Sequence, residues 1–164
     1  MPIPAAPTDD GVPSAVLVLF RQVHQQLRDE LDGLDDDALN WVPMAGANSI
    51  ATIITHLVGS EAEALRCVAG ITCERDRDAE FLGPGLTRAD VFRLLEEADT
   101  LSVELEPTID TGRLIAEFPL PTCSPEEVRT GLTWLIGTYG HSREHVGQVQ
   151  ITAQLNSGRD LTHG

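Results

Sequence analysis

Basic residues are few: 11 Lys and Arg stand against 26 Asp and Glu, for a formal net charge of −15. Contact with phosphate backbones or anionic lipid depends on Lys and Arg displacing condensed counterions, so no nucleic-acid partner is expected. Long hydrophobic runs are missing too. No stretch approaches the ~20 apolar residues that span a bilayer, and no membrane partner is expected. The amino terminus, MPIPAAPTDDGVPSA, has neither the basic segment nor the apolar stretch of a secretory signal, which points to a cytoplasmic protein. Cysteine is scarce. Cys67, Cys73 and Cys123 are odd in number and form no CxxC pair, which speaks against a disulfide framework and fits a reducing compartment. Each reads as inert packing or surface, because buried cysteine usually behaves as a small hydrophobe.

What is present suits one ordinary domain. A chain of 164 residues with 41% hydrophobic and 23% charged content can bury a single core. The expected division is a flexible Pro-rich lead-in at 1–13, one helical domain at 14–156, and a fraying tail at 157–164 that contains His163.

Four segments carry helical periodicity, separated by stretches rich in Gly, Pro and Asp; this is the outline of an all-α, antiparallel four-helix bundle with long inter-helix loops. The first runs from about Ser14 to Gly33, with Val16, Phe20, Val23, Leu27, Leu31 and Leu34 at spacings of three and four. After the polar connection DDDALNWVPMAGA, the second begins at Asn48 or Ser49, either able to cap it, and continues through Ile53, Ile54, Leu57 and Leu65 to Gly70. A long loop, ITCERDRDAEFLGPGL, comes next. Thr87 caps the third helix, with Asp90 at its positive end, and the helix stops near Glu106, before Pro107. Leu114 to Phe118 has β character. The clearest start signal is Ser124-Pro125-Glu126-Glu127, from which the fourth helix is expected to run to about Asn156, with Gly158 beyond it.

That fourth helix contains HSREH. Val128, Leu132, Leu135 and Tyr139 form its apolar seam, and Gly131, Trp134, Thr138, His141, His145, Val149 and Thr152 form a line beside it. Residues at i and i+4 lie about 6 Å apart along the axis, so His141 and His145 can offer ring nitrogens to one ion. His56, at the edge of the stripe formed by Ile53, Leu57 and Ala64, occupies a comparable place on the second helix. Three imidazoles could then converge, leaving a coordination position open for water or a thiol. The bland reading is three polar residues lining a groove. H-x-x-E-H also spells the inverted zinc-protease motif. That chemistry needs a later carboxylate ligand, and Asp160 in the tail is the one acidic side chain after His145, while Glu144 is turned about 100° off the histidine line. A protease is therefore set aside.

Two stretches carry a family resemblance. NSIATIITHLVGSEAE, with His56, and HSREHVGQVQ, with its Gly147-Gln148 step, resemble the single-ligand and paired-ligand helices of the DinB-like, or YfiT-like, metal-dependent bacterial proteins. Relatives in that superfamily include mycothiol-dependent maleylpyruvate isomerase and bacillithiol transferases. The resemblance extends over most of Ser14 to Leu155 and implies a four-helix bundle in which His56, His141 and His145 bind a divalent metal, commonly zinc or nickel. In the mycothiol isomerase branch the first of the paired ligands is a glutamate where this chain has His141, so that particular activity is not implied.

Around these residues, His24 reads as packed or surface rather than as part of a cleft. Glu61 and Glu63 read as a solvated acidic face, Gln148 and Thr138 as neighbours able to orient a ligand, and Trp41 and Trp134 as core or pocket wall. Three functions compete. The first is a metal-dependent enzyme that activates a low-molecular-weight thiol or water, as a thiol S-transferase or hydrolase acting on a small-molecule substrate. The second is a non-catalytic metal-binding module for stress response or interaction. The third is a metal-free structural bundle. No catalytic or cofactor-binding residue beyond the metal ligands is assigned, and a homodimer is left open, although the apolar stripes are all needed for one core.

Overall fold

Val16, Phe20, Val23 and Leu27 recur every three or four residues, and the helix they form, α1 (Gly11–Glu30), buries all four. The same logic builds α3 (Ile50–Val68), which buries Ile50, Ile54, Leu57, Leu65 and Val68, and α5 (Arg88–Leu105), which buries Val91, Leu95 and Leu105. The fourth long helix is α7 (Gly131–Arg159). Short elements fill the connections: α2 (Asp36–Asn40), α4 (Ala79–Leu82), α6 (Thr111–Ile115), and a two-stranded antiparallel ladder of β1 (Glu117–Phe118) and β2 (Arg129–Thr130). This computed structural model describes residues 11–82 and 85–159, so Asp160 and His163 lie outside the described residues. The chain is all-α, as its periodicity indicates.

Contacts between helices fix their directions. Ser14 of α1 meets Glu106, the residue just past the end of α5, while Arg28 meets Asp99, so these two helices are antiparallel. On α3 and α7, His56 meets His141 while Val68 lies against Gly131, so these are antiparallel as well. Between α1 and α7, by contrast, the pairs Phe20 with Tyr139 and Glu30 with Gln150 rise together. Hence α3 and α5 run in the same sense. The connection between them must travel back along the bundle, which explains its length. It begins at a Schellman turn, where Gly70 N–H bonds Cys67 O at 3.0 Å and Ile71 N–H bonds Arg66 O at 2.8 Å. Gly70 sits there at φ 78°, a conformation that favours glycine. The return ends where Asn40 exchanges hydrogen bonds with both backbone groups of Leu86.

The caps read from the sequence at Ser49 and Thr87 are in place. Ser49 Oγ accepts Thr52 N–H at 3.2 Å at the head of α3, and Thr87 with Asp90 forms a reciprocal capping box on α5. The start expected at Ser124 is different. There the Ser124 hydroxyl bonds Glu126 and the Ser124 carbonyl accepts Glu127 N–H, a tight local turn that leads into β2. The serine-proline-glutamate signature is satisfied within four residues and needs no helix. The helix instead begins at Gly131, where Thr130 Oγ1 accepts Thr133 N–H at 3.2 Å. Its far end passes through Gly158 to Arg159, and α1 starts at Gly11 rather than Ser14. Leu114 and Ile115, expected to be extended, close the short helix α6, and strand geometry is confined to Glu117 and Phe118.

The core of α7 is also displaced from the expected seam. Val128 lies outside the helix and is exposed, whereas Leu135, Ser142, Val146 and Val149 form the buried face together with Trp134, Thr138 and Thr152. Two apolar clusters result. One gathers Val23, Leu27, Ile50, Ile54, Leu57, Leu95 and Val146; the other gathers Leu17, Phe20, Leu65, Val68, Leu105 and Leu135. Near the junction of the two clusters each long helix contributes a polar residue: His24, Glu61, Asp99 and Ser142. They make one connected layer. His24 Nε2 bonds Glu61 at 2.6 Å, His24 Nδ1 bonds Asp99 at 2.6 Å, and the Ser142 hydroxyl donates to Glu61 at 2.6 Å. One residue from each long helix thus enters a single hydrogen-bonded chain.

Candidate metal centre

The return of the chain along α3 brings a third element to the histidines. His56 projects from the middle of α3, and His141 and His145 from successive turns of α7, with α4 laid beside them. His141 Nε2 lies 3.2 Å from His56 Nε2 and 3.0 Å from His145 Nε2. All three ligand atoms lie within 4.8 Å of one another. The structure therefore brings together the three histidines singled out from the sequence.

The outer nitrogens of two rings are held. His56 Nδ1 is 2.9 Å from Glu80 Oε2, and His145 Nδ1 is 2.9 Å from the side-chain oxygen of Gln148. Arg75 Nη2 also approaches His56 Nδ1, at 3.2 Å, but the Glu80 carboxylate is the closer partner and, like the Gln148 oxygen, can only accept. This places a proton on both Nδ1 atoms and leaves the lone pairs of His56 Nε2 and His145 Nε2 toward His141 Nε2. A neutral His141 has at most one proton to offer there. One proton cannot serve two acceptors, so at least one lone pair faces another without a hydrogen between them. A cation resolves this. Nitrogens about 2.0 to 2.1 Å from a tetrahedral ion stand about 3.4 Å from each other, close to the separations seen. The donor set fits a divalent metal ion that prefers imidazole.

Electrostatics favour the neutral rings that ligation needs. Burial, then the neighbouring His145 and His56, pull His141 down to about 4. Burial also lowers His56, against the pull of Glu80. Glu80 is itself fixed by Arg75, whose Nε and Nη2 bond its two oxygens at 2.7 and 2.8 Å. Burial works against the charge of Arg75, but Glu80 and Glu63 outweigh it and raise its pKa. Glu63 in turn accepts Arg75 Nη1 at 3.1 Å and both the N–H and the hydroxyl of Thr122. Phe81 of α4 packs on the His56 ring with centroids 4.9 Å apart.

Several sequence expectations change here. Glu61 and Glu63, read as a solvated acidic face, are each 1% exposed, one in the four-helix layer and one under Arg75. The causes differ: α1 and α7 close over Glu61 through His24 and Ser142, whereas Arg75 of the returning connection, with Thr122, covers Glu63. His24 is packed as expected, with two carboxylates around it. Trp134 is buried and donates its Nε1–H to Phe118 O at 2.7 Å, and Gln148 does orient a ring. Glu144 is exposed. Burial, with nearby acidic groups, pushes the Cys67 thiol up to about 11 and also raises Cys123, which makes both poor nucleophiles, in line with the inert reading. Sequence reasoning misses Arg75 and Glu80; alternating charge in ERDRDAE looks like solvated loop, and only the path of the chain reveals them.

A model of the DinB superfamily matches residues 19–149, most of the chain. The chain belongs to the DinB superfamily. Within this DinB-superfamily chain the match spans all three histidines and the polar layer beneath them. No curated protein matches it. The three-histidine group could bind a metal ion, and no helix among the described residues is long and apolar enough to cross a membrane.

Proposed function

We propose that His56, His141 and His145 hold a divalent metal ion, zinc or nickel, and that the protein is a metal-dependent enzyme acting on a small molecule, of thiol S-transferase or hydrolase type. The observation that carries this is the meeting of three imidazole Nε2 atoms with too few protons to bond one another. Bound there, such an ion would supply the Lewis acidity that lowers the pKa of a thiol or a water in a position the three rings leave open. The chain's own groups do the rest. Glu80 and Gln148 fix the proton on Nδ1 of His56 and His145, so that each Nε2 is presented as a donor. Arg75 holds Glu80 in place, and Phe81 shields one face of His56 from water.

A second reading, a non-catalytic metal-binding module, is favoured by one observation. Glu80, which bonds His56, and Glu63, which lines the neighbouring cleft, have their oxygens occupied by Arg75, Thr122 and His56, which leaves neither free as a general base. Turnover of electrophiles with bacterial thiols, or of esters and amides, separates the readings.

The metal proposal itself is tested on protein purified without an affinity tag. It requires about one equivalent of metal after reconstitution, and loss of that equivalent in His145→Ala. Full occupancy in His145→Ala, or metal that stays far below one equivalent in the wild type, would contradict it.

A further inference from the structure

Taking the metal-centre reading as its base, we infer that the cleft beside His56 and His141 takes a small organic carboxylate. Its anionic group is held by Arg77 and Arg129, and its apolar body lies against Trp134 and Leu120. The cleft has a volume of about 370 Å³, with His56 and His141 in its lining. This is near the lower end of the range of about 300 to 1,000 Å³ typical of small-molecule sites, so the occupant is small.

Charge argues for an anion. The protein carries 11 basic residues against 26 acidic ones, yet three arginines, Arg75, Arg77 and Arg129, line this one cleft. Glu63 is the acidic side chain among the lining residues, and its oxygens are taken by Thr122 and Arg75. That leaves Arg75 committed to Glu63 and Glu80 as well. Arg77 is different. Its guanidinium lies 5.7 Å from the Phe81 ring centroid, and no carboxylate among the described residues pairs with it. Phe81 touches His56, so Arg77 sits one ring away from the metal ligands. Arg129 lies over Trp134, 4.9 Å from its centroid, and pairs with Glu127 from one side. Stacking fixes the plane of a guanidinium and leaves its edge to bond a carboxylate in two-pronged fashion. Trp134 and Leu120 add the apolar wall that an uncharged body requires.

The cleft thus offers charge to one end of a ligand and an apolar surface to its body, beside His56 and His141. Isothermal titration of the full chain, zinc-loaded, with 3-phenylpropionate and with its neutral amide tests this, with zinc content measured on the same samples. The acid is expected to bind at least about tenfold tighter than the amide. In R77Q/R129Q the affinity for the acid should fall at least about tenfold while zinc content stays at the wild-type value. Equal binding of acid and amide, or undiminished acid binding in R77Q/R129Q, overturns the inference. If the wild type holds no zinc, the metal reading fails on its own. The same comparison on metal-free protein then decides the anion site: loss of acid binding in R77Q/R129Q upholds it, and no loss overturns it.

Discussion

Arg75 and Glu80 meet through two parallel hydrogen bonds, Nε to Oε1 at 2.7 Å and Nη2 to Oε2 at 2.8 Å, and Glu80 passes the constraint to Nδ1 of His56 at 2.9 Å. Both side chains come from the connection that returns along α3, so a segment resembling loose loop in the sequence sets the tautomer of a ring in the three-histidine cluster.

Glu80→Gln is expected to keep the fold and weaken the centre. The amide can still accept from His56, but without the charge that fixes the imidazole or the symmetric grip on Arg75. Removing such an orienting group typically costs about 10- to 100-fold in metal affinity. Competition for zinc against a chromophoric chelator measures it; a dissociation constant equal to that of the wild type would show that Glu80 does not orient His56.

His24 ties stability to pH. Burial pulls its pKa down, but the hydrogen bonds and charges of Glu61 and Asp99 more than compensate, so the folded-state value is raised above 6.5. A histidine raised on folding contributes stability that is fully present below its unfolded pKa and is lost as pH rises through the folded one. His24→Gln also leaves buried Glu61 without its charge partner, and breaking a buried pair costs about 3 to 5 kcal/mol. Urea unfolding of both proteins from pH 6 to 10 should therefore show a wild-type advantage that is largest at the acid end and shrinks upward. An advantage constant across that range would mean that His24 is not charged in the folded protein.

Gly131 has no room for a side chain. A Cβ there would lie 2.4 Å from the carbonyl oxygen of Arg113, a backbone atom that cannot swing aside, while the Gly131 N–H bonds Ala116 O at 3.0 Å. Helix propensity alone would favour alanine. Gly131→Ala should instead lose about 1 to 3 kcal/mol, read as a lowered thermal midpoint. A midpoint at or above that of the wild type would refute the steric account.

Local signals in the sequence translated well where the structure resolves them locally. Ser49 and Thr87 cap the helices their positions suggest, and the apolar repeats of α1, α3 and α5 face the core. Ser124 carries an equally good signal and heads a turn, because a cap motif describes four residues and is indifferent to the chain beyond them. The i, i+4 spacing of His141 and His145 is legible for the same local reason. The role of Glu61 is not: its partners His24 and Ser142 lie 37 and 81 positions away, and no periodicity within α3 separates a buried carboxylate from a solvated one. Arg75 and Glu80 depend on α3 and α5 running in the same sense, a property of the whole topology.

The central claim, three imidazoles around one ion with room for an outside molecule, is tested most directly by X-ray absorption at the zinc K-edge of the reconstituted protein. The account predicts three histidine nitrogens at about 2.0 to 2.1 Å and one further light atom not supplied by the chain. In a sample free of added thiol, a spectrum with fewer than three imidazoles, or with sulfur from the chain's own cysteines in the coordination shell, would contradict it.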